Sequence, residues 1–146
     1  MNFLESFLQV FENKNGSYQD IIPTRVLIIN PYSLSEVLLS TPVASSIKLN
    51  YSECIVDMMV RDEFKDLLIS FCPSVDDVVV YEDHMDVNSY KNFIRNSSYD
   101  LIIDLSENGA FSIGHKKNAH YFSINHFVAA NESFNDFYQK SDIQSE

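Results

Sequence analysis

From Arg25 onward, short apolar segments alternate with segments of helical periodicity, and this alternation constrains the fold more than any other feature of the sequence. The apolar segments are rich in β-branched residues and nearly continuous, which is typical of strands in a sheet covered by helices on both faces. Strand and helix in repeated succession predict one α/β domain, a Rossmann-like doubly wound parallel sheet. The predicted strands, starting near Arg25, Ile55, Val75 and Asp100, are RVLIIN, CIVDMMV, VDDVVVY and YDLIIDL, with AHYFSI as a fifth candidate. The predicted helices are SEVLLSTPVASSIKLNY (with a bend expected at Pro42), DEFKDLLISF, VNSYKNFIRNS and NHFVAANESFNDFYQK.

The sequence divides into an N-terminal helix and linker at residues 1–24, the Rossmann-like domain at residues 25–140, and a tail at residues 141–146. In the segment FLESFLQVF, helical periodicity places all the large apolar side chains on one face. These side chains are Phe3, Leu4, Phe7, Leu8 and Phe11. Apolar surface is costly in water, at about 25 cal/mol per Å², so this helix either packs on its own domain or binds a partner protein.

Composition excludes several function classes. The net charge is −11, which disfavours nucleic acid and anionic membrane surfaces, because both attract Lys and Arg. No apolar run reaches the roughly 18 residues of a membrane span, and the N-terminus lacks the basic start of a signal peptide. The sequence therefore predicts a cytoplasmic protein without an integral membrane segment. The two cysteines, Cys54 and Cys72, are interpreted as buried reduced thiols.

Motifs for common cofactors are missing from the sequence. No GxGxxG follows a strand, no GxxxxGK[ST] is found, and the only glycines are Gly16, Gly109 and Gly114. The sequence therefore disfavours nicotinamide cofactor binding and P-loop chemistry. The four histidines have no metal-ligand spacing, and no G-x-S-x-G elbow is present. We expect neither a metal nor a cofactor.

The stretch RVLIINPYSLSEVLLSTPVASSIKLNY resembles the start of glycosyltransferase family 9, the ADP-heptose:lipopolysaccharide heptosyltransferases. That family begins with a strand, a Leu-Gly-Asp loop and a helix containing Thr-Pro. Leu34-Ser35-Glu36 falls on Leu-Gly-Asp, and Thr41-Pro42 falls on Thr-Pro. The segments IVDMMVRDEFKDLL, VDDVVVY and YDLIIDLSENG look like later parts of the same family, so the resemblance covers about residues 25–108.

The resemblance implies one half of a GT-B enzyme. In that family the amino-terminal domain binds the sugar acceptor and supplies a base, and a second domain binds the nucleotide-sugar donor. We expect these 146 residues to correspond to the acceptor-side domain only and to be inactive alone. They would then act with a separate donor subunit in lipopolysaccharide or other glycan synthesis. The alternative is a pseudoenzyme, a non-catalytic protein-interaction module derived from a glycosyltransferase.

Glu36 inherits the position of the family's loop Asp, which activates an acceptor hydroxyl as a general base. The same residue also fits a capping box, in which Ser33 caps the helix and Glu36 reaches back to the Ser33 amide. Ser35 stands where the family has Gly, and Ser lacks the backbone freedom of Gly. The resemblance places Ser33 and Ser35 in the loop that contacts the sugar acceptor.

Two further residues follow predicted strands, at the edge of the sheet where ligands bind. Arg61, after the second strand, is interpreted either as a contact for an anionic acceptor or as a solvated charge. Asp104, at the end of LIIDL, either hydrogen-bonds a ligand or caps the next turn.

Overall fold

The computed structural model describes residues 22–106, 109–114 and 116–123. The predicted N-terminal helix, the last predicted helix and the predicted tail lie outside these residues.

Within these described residues, five strands and three α-helices follow one another in the predicted order. The strands are β1 (Arg25–Ile29), β2 (Ile55–Arg61), β3 (Asp77–Tyr81), β4 (Leu101–Asp104) and β5 (His120–Ser123). The helices are α1 (Leu34–Asn50), α2 (Lys65–Phe71) and α3 (Val87–Asn96). The segment predicted as one helix from Asp62 is instead a 3₁₀ turn, Asp62–Phe64, that leads into α2.

The strands form one sheet in the order β3-β2-β1-β4-β5, and every neighbouring pair is parallel. The prediction of a doubly wound parallel α/β sheet is therefore confirmed, including the fifth strand. In the register of the sheet, Val26 of β1 lies beside Val56 of β2 on one side and Leu101 of β4 on the other. The central strand β1 thus pairs with strands from both halves of the described chain.

Two apolar cores lie on opposite faces of the sheet, because side chains alternate along each strand. On the α1 face, α1 and α2 cover alternate strand residues, among them Val26, Ile28, Val56 and Met58. On the α3 face, the side chains of Tyr90 and Ile94 from α3 cover the intervening residues, among them Leu27, Ile29, Met59 and Ile102. Both faces of the strands are buried, which explains why their sequences read as continuous apolar runs.

Helix α1 continues through Pro42 and does not end there. A proline has no N–H, so the carbonyl of Leu38, four residues earlier, loses its usual helical donor. The hydroxyl of Thr41 donates to that carbonyl at 2.8 Å. The Thr-Pro pair is therefore tolerated inside the helix, because the threonine hydroxyl supplies the hydrogen bond that the proline cannot donate.

Cys54 and Cys72 are buried, free thiols, as predicted. Desolvation, with the nearby Asp100 carboxylate, raises the pKa of the Cys54 thiol to about 11. Thiolates are the reactive form of cysteine, so we expect Cys54 to react with iodoacetamide on the order of a hundredfold more slowly than an unstructured thiol near about pH 8.

The raised pKa also sets a pH dependence of stability. The contribution of Cys54 is complete below the pKa of the unfolded thiol, about 8.5, and is lost as the pH rises towards about 11. Alkylation rates and denaturant unfolding of the wild type and Cys54→Ala across this range measure both effects. Alkylation of Cys54 at the rate of a small-molecule thiol would contradict the burial and the raised pKa of this thiol.

Candidate functional site

The strand order changes direction at the carboxyl ends of β1 and β4, and this part of the sheet edge is called the crevice below. The helix after β1 lies on one face of the sheet and the helix before β4 lies on the other, so the chain leaves these adjacent strands in different directions. Ligands of open α/β sheets bind at such a point. Ile29 and Asp104 lie side by side in the register, and the Leu105 N–H donates to the Ile29 carbonyl at 2.9 Å.

Asn30 connects the end of β1 to the first turns of α1. It is buried, and its backbone N–H donates to the Met59 carbonyl of β2 at 2.9 Å. Its side-chain Nδ2 donates to the Glu36 carbonyl at 3.2 Å and to the Ser40 hydroxyl at 3.1 Å. The Ser40 hydroxyl donates in turn to the Val37 carbonyl at 2.7 Å. Asn30 therefore fixes the backbone of Glu36 relative to the sheet.

Asn30 belongs to no motif that marks it as functional in the sequence. The available signal was an amide residue placed directly between a strand and Pro31. Its Oδ1 atom is buried and has no hydrogen-bond partner among residues 22–106, 109–114 and 116–123. A buried polar atom left unpaired is uncommon in proteins.

The predicted capping box at the start of α1 is wrong. Ser33 is the N-cap residue, but its side chain makes no cap hydrogen bond. Its hydroxyl lies 3.2 Å from that of Ser35, and only the Ser33 carbonyl joins the helix, accepting from Val37 N–H at 3.1 Å. The two neighbouring hydroxyls pair with each other, which turns the Ser33 oxygen away from the helix amides.

The carboxylate of Glu36 is therefore not used for capping. The residue is exposed, and its side chain makes no hydrogen bond or ion pair within the described part of the chain. The negative charge lies in the first turn of α1, where the helix dipole favours it. The capping interpretation of Glu36 does not agree with this geometry, and a role as the general base stays a prediction.

Arg61 ends β2 and lies next to the loop that follows β1. Its Nε donates to the Pro31 carbonyl at 2.9 Å, and its Nη1 pairs with Asp83 at 2.6 Å. The guanidinium also stacks 5.9 Å from the centre of the Tyr81 ring. The hydrogen bond to Asp83 raises the pKa of Arg61 above its usual value. The charge is thus already matched by a carboxylate, and a role as an anion contact stays a prediction.

Asp104 is fully buried at the end of β4 and accepts four hydrogen bonds from the residues that the structure describes. One oxygen accepts from the Ser106 N–H at 2.8 Å and from the Ser106 hydroxyl. The other accepts from the Phe111 N–H at 3.2 Å and from the Tyr121 hydroxyl at 2.5 Å. Desolvation, together with this hydrogen bond, raises the pKa of Tyr121, which stays protonated. Of the two interpretations of Asp104, the structure supports the capping one, because its lone pairs are occupied within the fold.

The loop organised by Asp104 packs closely on β5. Gly109 has a φ of +61°, and a Cβ there would lie 3.1 Å from the Tyr121 hydroxyl and 3.3 Å from Ser123 Cβ. Both the backbone conformation and the space favour glycine.

Exposed acids follow β2 and β3, at the same edge of the parallel sheet as the crevice. Asp62 and Glu63 follow β2, and Asp83 and Asp86 follow the third strand. These carboxylates repel phosphate, and the nearby Arg61 is paired with one of them. The electrostatics of this edge suit a neutral hydroxyl-bearing ligand better than a phosphorylated one.

No group of three or more His, Cys, Asp or Glu side chains that could hold a metal ion occurs in the described ranges. Among the helices that the structure describes, none has the length and apolarity needed to cross a bilayer.

No protein-family model and no curated protein sequence matches this chain. The structure is similar to the crystal structure of a glycosyl transferase family 9 protein from Veillonella parvula DSM 2008, with a TM-score of 0.51 and 14% identity. That match covers 60% of this chain and 27% of the other. A further match is E. coli heptosyltransferase WaaC with ADP, with a TM-score of 0.47, 20% identity and coverage of 68% of this chain and 33% of the other. The chain thus spans about a third or less of the proteins it resembles in fold.

Proposed function

We propose that this chain provides the acceptor-side domain of a glycosyltransferase, with Glu36 as the general base. The observation that carries the proposal is the position of Glu36 at the crevice, with its backbone held by Asn30 and its carboxylate unpaired within the described residues. The glycosyltransferase-like fold is consistent with it, although a fold alone does not identify a function.

In the proposed reaction, the Glu36 carboxylate accepts the proton of an acceptor hydroxyl. The hydroxyl oxygen then forms a bond to the anomeric carbon of a nucleotide sugar, and the bond from that carbon to the diphosphate breaks. The electron pair of the broken bond leaves with the nucleoside diphosphate. General base catalysis of this kind contributes about 10²- to 10⁴-fold to a rate.

Transfer also requires that the donor be held against the acceptor, and positioning supplies much of the rate. The described chain has no Gly-rich loop at a helix N-terminus that would bind a diphosphate. We therefore propose that a separate donor-binding domain completes the site. A lipopolysaccharide core sugar is the acceptor implied by the resembled family, and ADP-heptose is the implied donor.

We expect the purified 146-residue chain to show no transfer from ADP-heptose to a core oligosaccharide. We also expect it to bind ADP no more tightly than about 1 mM, or roughly −4 kcal/mol. Calorimetry and a product assay measure these two quantities. Micromolar ADP affinity, or turnover by the chain alone, would contradict the need for a second domain.

A complementation experiment tests the proposed function itself. Extracts of the source organism lacking this gene are supplied with radiolabelled nucleotide sugar, with and without the purified chain. Restoration of sugar incorporation by the added chain supports the acceptor-side function. An extract that incorporates sugar equally well without the chain contradicts it.

One observation favours the alternative, a non-catalytic interaction module. The cation nearest to the loop after β1, Arg61, is neutralised by Asp83, so the site offers little attraction to a phosphorylated acceptor. If this alternative holds, Glu36 takes part in no reaction. The purified chain added to the extract then binds a partner protein that can be recovered with it, and the incorporation of sugar does not change.

A further inference from the structure

Helix α1 is apolar on its outer face as well as on the face it buries. Leu38, Leu39 and Leu49 are 47%, 79% and 85% exposed. Together with the exposed Pro42 they fall within one face of the helix, because they recur at helical spacing. This set, Leu38, Leu39, Pro42 and Leu49, is called the outer stripe below.

The outer stripe carries no charge, which is unusual for a solvated helix. The basic residue in the last turn of α1, Lys48, is not part of the outer stripe, and its ammonium group pairs with Asp76 at 2.6 Å. The remaining polar residues between the leucines are serines and Thr41, and these hydroxyls are small. A helix that is apolar on all sides is normally buried on all sides. The outer stripe therefore requires a covering element.

From this surface we infer that residues 3–11 of the same chain dock on the outer stripe. This segment has a matching apolar face, formed by Phe3, Leu4, Phe7, Leu8 and Phe11. Its charge, Glu5, is not part of that face and meets no like charge on the outer stripe.

The position of residue 22, where the described chain begins, allows residues 3–11 to reach the outer stripe. The Ile55 N–H donates to the Thr24 carbonyl at 3.0 Å, so the chain enters β1 beside the start of β2. Helix α1 ends at Asn50 and reaches β2 through a short turn, in which Cys54 N–H donates to the Tyr51 carbonyl at 3.0 Å. Residue 22 and the Leu49 end of the outer stripe therefore lie at the same end of the sheet.

The lengths also agree. A helix over residues 3–11 is about 13 Å long, and the outer stripe from Leu39 to Leu49 is about 15 Å long. The intervening residues 12–21 can extend to about 33 Å, which is more than the distance along the stripe. The linker ENKNGSYQD is polar and contains Gly16, as a surface connection requires.

A second copy of the chain is a weaker occupant on electrostatic grounds. Each chain carries a net charge of −11, and pairing two copies through their α1 faces brings these charges together. The segment at residues 3–11 is already tethered, so its docking is intramolecular and independent of concentration.

Thiol labelling of the full-length chain tests the docking. Leu39→Cys introduces a thiol on the outer stripe, while the native Cys54 and Cys72 are buried. We expect this thiol to react with iodoacetamide at least about tenfold more slowly than the same thiol in a chain that also carries Phe7→Asp and Leu8→Asp, because an open state must form first.

Two controls accompany the experiment. Phe93→Cys places a thiol on α3, across the sheet, where the parent side chain is 46% exposed, and its rate should not change with Phe7→Asp and Leu8→Asp. Ser6→Asp with Gln9→Asp adds the same charge to the opposite face of the segment and should preserve the protection. Equal rates at position 39 in all chains overturn the inference. Protection that grows with protein concentration also overturns it and assigns the surface to a second copy.

Discussion

Replacing Glu36 by Gln lowers sugar incorporation in the complemented extract by at least about a hundredfold. Gln has nearly the same shape as Glu but does not accept a proton at neutral pH, so the acceptor hydroxyl keeps its proton during attack. The backbone of residue 36 is held by the amide of Asn30 through the carbonyl, which the substitution does not alter. The fold is therefore expected to be unchanged, and the product assay measures the loss directly.

Glu53→Gln is the matched control for this substitution. Glu53 is also an exposed acid, but it lies in the turn before β2, at the amino-terminal end of the strands and away from the crevice. Full incorporation with Glu53→Gln and a loss with Glu36→Gln support the general base. If Glu36→Gln restores incorporation as well as the wild type, Glu36 is not the base, even if the chain is needed for transfer.

Replacing Asp104 by Ala destabilises the domain by about 4 kcal/mol, because it leaves buried donors without an acceptor. The donors are the N–H groups of Ser106 and Phe111 and the hydroxyls of Ser106 and Tyr121. The loop after β4 and the edge strand β5 both depend on this carboxylate. For a domain of this size we expect the Tm to fall by about 10 °C or more.

Asp83→Ala provides the comparison, since it also removes a carboxylate with a close partner. The Asp83 side chain is 63% exposed and its partner Arg61 is 35% exposed, so water replaces the lost contact. Exposed ion pairs contribute about 0–1 kcal/mol, and the Tm should change little. Urea unfolding of both variants measures the difference. Equal effects from the two substitutions would show that Asp104 does not hold the loop as described.

The fold was predictable because its signals are local. The apolar runs and their spacing gave the strands, and the parallel order followed from the helices between them. Even β5, a short segment between polar residues, was identified from its pattern. The start of α2 was less well predicted, since Asp62–Phe64 forms a 3₁₀ turn and periodicity alone does not distinguish it from an α-helix.

The candidate site was less predictable because its contacts connect distant residues. Asp104 meets a hydroxyl 17 residues later, from Tyr121, and no spacing rule anticipates that pair. The Ser33–Glu36 motif has the sequence of a capping box, but a competing hydroxyl at Ser35 removed the cap. Sequence rules for caps consider the helix alone, whereas neighbouring polar side chains decide which hydrogen bond forms.

Contacts between residues far apart in sequence also occur at the other end of the sheet, among Arg25, Asp57 and Tyr99. Asp57 is buried on β2 and accepts from the Tyr99 hydroxyl at 2.6 Å, while Arg25 pairs with the same oxygen at 3.3 Å. Desolvation, with the bond to Asp57, raises the pKa of Tyr99. These residues come from three separate elements, and the sequence identified each only as part of a strand or loop.

The strand order also determines when the sheet can be completed during synthesis. The central strand β1 is among the first described segments to leave the ribosome, yet its neighbour β4 begins only at Leu101. The bonds that lock this pair come from Asp100, whose carboxylate accepts from the N–H groups of Thr24 and Arg25, 76 and 75 residues earlier. At about 5–20 residues per second, the apolar edge of β1 waits several seconds for its partner. Contacts so far apart in sequence slow folding, and an unpaired edge attracts other strands. The nascent chain is therefore most vulnerable to misassembly before residue 104 emerges, and chaperone demand should fall once β4 has docked.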